Sequence, residues 1–291
     1  MGNHALDGLI ARAVSLLGLC LLLSPLVRDA LHASSLAGSR RTIGWVAFAL
    51  GCAGALIQLN AYVLSLADFG YDEPSVWRPE LAEFGRWLGP ALRETQFGRW
   101  WCAHAGTLGL TLVVILRAAP SPRLIAVVST FWILTFVRLG HAAGYPLVSA
   151  AFLSQLVHTA AVVGWLSGLL GLTTLVLDES HPLQRQPLRR FAQVMLSLML
   201  VIVTTGAVRL VGLLDAAVTP WRSSLYLWIL AAKLLLVALI LVAAATARRR
   251  ILAGGGSAVS PAALRQVLSV EVLTASLVLF ISTLLSQVPS P

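Results

Sequence analysis

Three histidines lie inside long apolar runs of this sequence, where an ionisable side chain is costly. His104, His141 and His158 each interrupt a different run. An ionisable group at the centre of a membrane helix costs roughly 2.5–3.5 kcal/mol, so each one needs a partner or a task. Neutral imidazole is a common ligand for copper, zinc and haem iron. Converging histidines would form a metal site within the membrane, whereas separate ones would only bond nearby backbone or side chains.

Weaker candidates for metal ligands are also present. Met195 and Met199 are four residues apart, which places them on one face of a helix. Thioether sulfur suits Cu(I), although such methionines equally suit packing. If Met1 is removed, His4 becomes the third residue after a free amine, an end that can hold Cu(II). We therefore rank Met199, Met195 and His4 below the three histidines.

Two opposite charges interrupt the last two apolar runs. They are Lys233, the only lysine of the chain, and Glu271. Neither charge tolerates isolation in lipid. The sequence therefore predicts a structural pair of buried charges, with a proton or ion relay as the alternative.

Several other chemistries are excluded by the sequence. It contains no P-loop, no DKTGT-type phosphorylation sequence, no Gly-x-Ser-x-Gly and no HExxH. The formal net charge is +9, but the arginines sit in short clusters between apolar runs, which is typical of membrane topology rather than nucleic-acid binding. We expect a carrier or channel, with no catalytic residues and no nucleic-acid partner.

Composition indicates which elements must position these residues. Hydrophobic residues make up 58% of the chain and charged residues 11%, against roughly 25% charged in soluble domains. The lipid bilayer must therefore solvate much of the surface. We predict an all-α polytopic membrane bundle, residues 1–291 forming one transmembrane domain. The eight predicted spans are Leu9–Val27, Ile43–Leu66, Gly98–Leu116, Leu124–Ala143, Ser149–Leu177, Leu188–Leu213, Leu225–Ala247 and Leu264–Ser286.

The arginines predict the orientation of these spans. The odd-numbered loops hold twelve arginines and the even-numbered loops hold five. The positive-inside rule then places the odd loops in the cytoplasm and both termini outside. In this orientation His104 lies about 9 Å and His158 about 15 Å from the outer ends of their spans, and His141 lies near an outer end. All three histidines therefore fall in the outer half of the membrane.

The longest loop, residues 67–97, falls outside in this topology. Its segment PELAEFGRWLGPAL, residues 79–92, predicts a short amphipathic helix on the membrane surface. A faint repeat relates Thr95-Gln-Phe97 and Ala103-His104 to Ser224-Leu-Tyr226 and Ala232-Lys233 at the same spacing. The repeat predicts two four-helix halves, residues 1–147 and 148–291.

Short motifs resemble the copper resistance protein D (CopD) family of bacterial inner-membrane proteins. Gly140-His-Ala-Ala-Gly144 is similar to a Gly-His-Ala-Ala segment of that family. Leu156-Val-His158, followed by Trp165-Leu-Ser-Gly168, is similar to its histidine helix, with Ser167 in place of a glycine. The resemblance covers most of the second half and part of the third span, where His104 stands at a position more often Arg or Lys. His104 is therefore either a metal ligand or a hydrogen-bond donor that substitutes for the Arg or Lys of the family.

The resemblance implies copper uptake toward the cytoplasm across the bacterial inner membrane. Copper ion is then the expected cargo, and the expected partners are the lipid bilayer and a periplasmic copper-binding protein. It also implies eight helices with outside termini, in agreement with the arginine pattern.

Two other functions fit parts of the pattern. A cytochrome-b-like redox protein also pairs histidines on facing helices, but the inner half offers no intramembrane histidine for a second haem. A scaffold that docks a partner through residues 67–97 would bind no metal. An optical spectrum distinguishes them, because haem has an intense Soret band and Cu(I) is colourless.

Overall fold

The computed structural model describes residues 3–31, 37–68, 81–117, 121–140, 144–177, 185–216, 225–253 and 261–285. Within these ranges the secondary structure is helical and contains no strand, which confirms the predicted all-α class. The helices of the described ranges are α1 (Asn3–Ala30), α2 (Ala37–Asp68), α3 (Leu81–Glu94), α4 (Gln96–Leu116), α5 (Pro122–Arg138), α6 (Ala150–Leu177), α7 (Arg185–Ala216), α8 (Leu225–Ala253) and α9 (Pro261–Leu285).

Seven of these helices are long and apolar enough to cross a membrane, namely all except α3 and α5. The fourth predicted span corresponds to α5, which has 17 residues and ends at Arg138 instead of the predicted Ala143. The N–H of Gly140 bonds Val137 O at 3.1 Å, so the last turn tightens. Glycine after the C-cap residue Leu139 is compatible with this helix end.

The chain divides into two compact units. The first comprises Met1–Leu22 and Arg41–Thr159, and the second comprises Leu23–Arg40 and Ala160–Pro291. Helices α1, α2 and α6 each contribute residues to both units. The sequence-based halves 1–147 and 148–291 stay a prediction.

Small residues bring α1 and α2 into close contact in the first unit. A Cβ atom on Gly18 would lie 2.7 Å from Ala47 O, and one on Gly54 would lie 2.1 Å from Ser15 Oγ. Neither position has room for a side chain. Because lipid tails are as apolar as the helices, such close van der Waals packing of small residues is a main source of helix association in membranes.

The predicted amphipathic helix is present as α3, and its apolar face packs against protein. Ala91 of α3 forms a buried cluster with Leu59 and Val63 of α2. The side chains packed around this cluster include Phe84, Trp87, Leu88 and Leu92 of α3 and Phe97 and Trp101 of α4. Helices α2 and α4 thus bury apolar surface of α3 that a helix lying free on the membrane would place in lipid.

The second unit packs α6 to α9 around apolar contacts. A cavity of about 50 Å³ lies among these helices, lined by Trp165, Met199, Ile240, Leu279 and other apolar residues. At one end of α6, Nη2 of Arg265 donates to Val176 O at 3.5 Å, so a cation faces the carbonyl end of the helix dipole.

Candidate metal site around His104

His104 is placed by a well-defined start of α4. Thr95 is the N-cap, and its Oγ1 accepts a hydrogen bond from Gly98 N at 2.9 Å. This cap fixes the start of α4, whose buried face includes His104, Thr107 and Thr111. His104 is 1% exposed, so its imidazole is enclosed by protein.

The imidazole of His104 contacts two side chains of α5. Its Nδ1 lies 2.8 Å from Thr135 Oγ1. Its ring meets Trp132 edge-to-face, with centroids 6.0 Å apart and planes at 79°. These contacts hold the ring in one orientation.

Two buried hydrogen-bond donors of α5 have no partner among the described residues. They are Trp132 Nε1 and Ser129 Oγ, which lie one helical turn apart on α5. A buried donor without an acceptor costs about 1–3 kcal/mol. Both groups therefore have capacity to bond a small acceptor such as water.

Arg138 links three helices close to the contact between His104 and Thr135. It is one turn after Thr135 on α5, and it faces Trp100, one turn before His104 on α4. The guanidinium carbon lies 5.2 Å from the centroid of the Trp100 ring and 4.6 Å from that of Phe152 on α6. Nη1 donates to Tyr145 O at 2.7 Å. Arg138 thus joins α4, α5 and α6 although it carries a buried charge.

The end of α5 is also held by α1 and α2. Gln58 Nε2 of α2 donates to Leu139 O at 3.1 Å. The guanidinium of Arg12 on α1 lies against Gly140, where a Cβ atom would be 1.6 Å from Nη2. A side chain at position 140 would therefore displace the guanidinium of Arg12 from its place against this turn.

The remaining predicted ligands are distributed over both units. His158 is partly buried on α6 within the first unit. His141 lies outside the described residues, and for His4 the structure describes only the backbone. In the second unit, the sulfur of Met195 packs against Gly168 and Met199 lines the apolar cavity.

The described residues include no group of three or more His, Cys, Asp or Glu side chains placed to hold a metal ion. His104 and His158 are the two predicted nitrogen ligands whose side chains the structure describes.

Lys233 and Glu271 lie on α8 and α9 and are both partly buried. Within the described part of the chain they make no salt bridge with each other. Lys233 and Tyr226 are instead within electrostatic range of Arg209 on α7. The compensation of Lys233 by Glu271 stays a prediction.

Thr135 is the contact that sequence reasoning missed. Hydroxyl residues are common in membrane helices, and Thr135 stands in no motif of its own. The signal that could have found it is the short connection between α4 and α5, since antiparallel neighbours pair residues at equal separation from the turn. Counting outward from the two helix ends that flank this connection, Leu116 and Pro122, pairs His104 with Leu134, one residue before Thr135.

The sequence of residues 8–146 matches the family described as copper resistance protein D-like, N-terminal domain. Comparison with curated proteins and with solved structures gave no match.

The match extends the resemblance to the first half of the chain. The short motifs place it mainly in the second half, whereas the family match covers the first half, including the first two spans. Membrane spans draw on few apolar residue types, so similarity there is spread over many weakly informative positions and forms no short motif. On this match, residues 8–146 are similar to the N-terminal domain of the copper resistance protein D (CopD) family, and this similarity supports assigning the chain to that family.

Proposed function

We propose that this protein carries copper across the bacterial inner membrane, or handles it within that membrane, through His104, His158 and His141. The family supports a copper-related membrane function. The observation that carries the role of the histidines is the burial of His104, which is 1% exposed within a membrane-spanning helix. Placing an imidazole inside such a helix costs free energy, which indicates that the residue has a function. Reversible binding of a soft cation is a function that an imidazole can perform.

The proposed orientation has both termini in the periplasm. Copper then enters from the periplasmic side, where a copper-binding protein delivers it. The three histidines act as successive ligands, with Met199, Met195 and His4 as weaker ones. The protein is a carrier or channel and performs no covalent chemistry on its cargo.

Copper retention by the purified full-length protein tests this proposal. The wild type, loaded with Cu(I) and desalted, should retain copper measurable by elemental analysis and show no Soret band. His104→Ala and His158→Ala should each retain less, whereas His181→Ala, in a loop predicted to be cytoplasmic, should match the wild type. A Soret band would indicate haem, and a wild type that retains no copper would exclude the proposed ligands.

A further inference from the structure

Thr135 makes three short contacts through a single hydroxyl group. Its Oγ1 lies 3.0 Å from Phe131 O, 3.0 Å from Trp132 O and 2.8 Å from His104 Nδ1. A threonine hydroxyl has one proton to donate and two lone pairs to accept with. These contacts therefore determine the direction of the bond to His104.

The proton of Thr135 goes to a backbone carbonyl. Phe131 O and Trp132 O are carbonyl oxygens and can only accept. Other threonines of these membrane helices use the same bond: Thr107, Thr111 and Thr130 each donate to the carbonyl four residues earlier. The alternative, donation from Thr135 to His104, would leave both carbonyls facing a lone pair at 3.0 Å.

Because Thr135 has no second proton, the bond to the ring must be donated by the ring. His104 Nδ1 therefore carries a hydrogen. In a neutral imidazole the other nitrogen, Nε2, then has the lone pair. Nε2 is the atom of His104 able to bind a metal cation.

We propose that Thr135 is a positioning residue that fixes the Nδ1–H tautomer of His104 and so presents Nε2 as the copper ligand. This inference rests on the proposed function for its cargo, but the tautomer itself does not depend on copper. Metal-binding histidines commonly donate their other ring N–H to a neighbouring acceptor, which sets the tautomer and ring orientation. Because the Thr135 hydroxyl donates its proton to a carbonyl of its own helix, its oxygen is such an acceptor.

The tautomer can be measured without metal. The full-length protein labelled with ¹⁵N-histidine in nanodiscs should show His104, assigned by the signal lost in His104→Asn, as protonated at Nδ1 only. Thr135→Val removes the acceptor and should give a mixed or reversed tautomer. Thr135→Ser keeps the hydroxyl and should retain the wild-type spectrum. Thr130→Val is the matched control, because Thr130 is exposed on the same helix and bonds Ala126 O.

Cu(I) affinity of the wild type and the three threonine variants, measured by competition with a chromogenic chelator, tests the consequence for ligation. Thr135→Val should bind Cu(I) about 10- to 100-fold more weakly than the wild type. Thr135→Ser and Thr130→Val should bind within about twofold of it. A fully folded Thr135→Val with wild-type affinity would overturn the positioning role, and a wild-type ring protonated at Nε2 would overturn the tautomer. A wild type that binds no Cu(I) would contradict the proposed function, while the nitrogen spectrum would still decide the tautomer.

Discussion

At the scale of single residues, the buried guanidinium of Arg138 shows how this fold stabilises a charge inside a membrane protein. Arg138 is 4% exposed and is enclosed by the rings of Trp100 and Phe152. A planar guanidinium over an aromatic face gains about 2 kcal/mol or more when desolvated. The bond to Tyr145 O adds a charge-assisted contact. These interactions offset the cost of burying the cation.

Replacing Arg138 with Gln should lower the free energy of unfolding by roughly 2–4 kcal/mol, because both ring contacts and the charged hydrogen bond are lost. Arg138→Lys should be intermediate, since an ammonium keeps the charge but not the planar stacking. Arg123→Gln is the control at the exposed start of the same helix and should change stability by less than about 0.5 kcal/mol. Unfolding by SDS titration in mixed micelles measures all three. Equal stability of Arg138→Gln and Arg123→Gln would show that the contacts of Arg138 with Trp100, Phe152 and Tyr145 O do not stabilise the fold.

The residues of the site were only partly predictable. His104 could be singled out because an imidazole is conspicuous in an apolar run, and the role of His158, chosen on the same ground, stays a prediction. Thr135 and Tyr145 could not be singled out, because a hydroxyl and a backbone carbonyl acquire their roles from neighbours on other helices. The donor in the hydrogen bond between Thr135 and His104 is assigned from the distances of Thr135 Oγ1 to two carbonyl oxygens. No sequence pattern contains these distances.

At the scale of helices, α2 and α5 meet where a glycine leaves room for a tryptophan. A Cβ atom on Gly51 would lie 2.5 Å from Trp132 Cη2 and 2.7 Å from Leu108 Cδ2. Trp132 is fully buried and supports the ring of His104. Packing of α2 against α5 therefore bears directly on the candidate site.

Gly51→Ala should destabilise the protein by roughly 1–3 kcal/mol, because a rigid indole ring cannot yield the space of a methyl group. Gly106→Ala is the matched control, since a Cβ atom there would meet nothing within 4 Å. The control should lose no stability, as Ala is a better helix former than Gly. Thermal unfolding of both purified variants distinguishes them, and a Gly51→Ala as stable as Gly106→Ala would rule out the close contact.

The helices themselves followed from apolar run length, but two features did not. The fourth span is shorter than predicted because α5 ends just before Gly140, against which Arg12 packs. The apolar face of α3 packs on α2 and α4, whereas amphipathicity alone equally fits a helix on a lipid surface. Sequence periodicity shows that a face is apolar, and only tertiary contacts show what covers it.

At the scale of the whole molecule, the arginine pattern predicts that loops alternate between two sides of the membrane. The seven membrane-length helices fit a multi-pass protein. Cysteines introduced at Ser75 and Ser257, in a background without the three native cysteines, should react with a membrane-impermeant thiol reagent from opposite sides. Labelling of both cysteines from the same side would contradict the predicted topology.

The central claim is that histidines predicted to lie within the membrane carry copper, and radiolabelled copper uptake tests it most directly. Cells expressing matched membrane levels of wild type, His158→Ala, His141→Ala and His181→Ala are compared. Uptake should be abolished in His158→Ala, reduced in His141→Ala and unchanged in His181→Ala. Wild-type uptake by a folded His158→Ala variant would contradict this claim. The histidine that is predicted to lie deepest in the membrane would then be dispensable for transport.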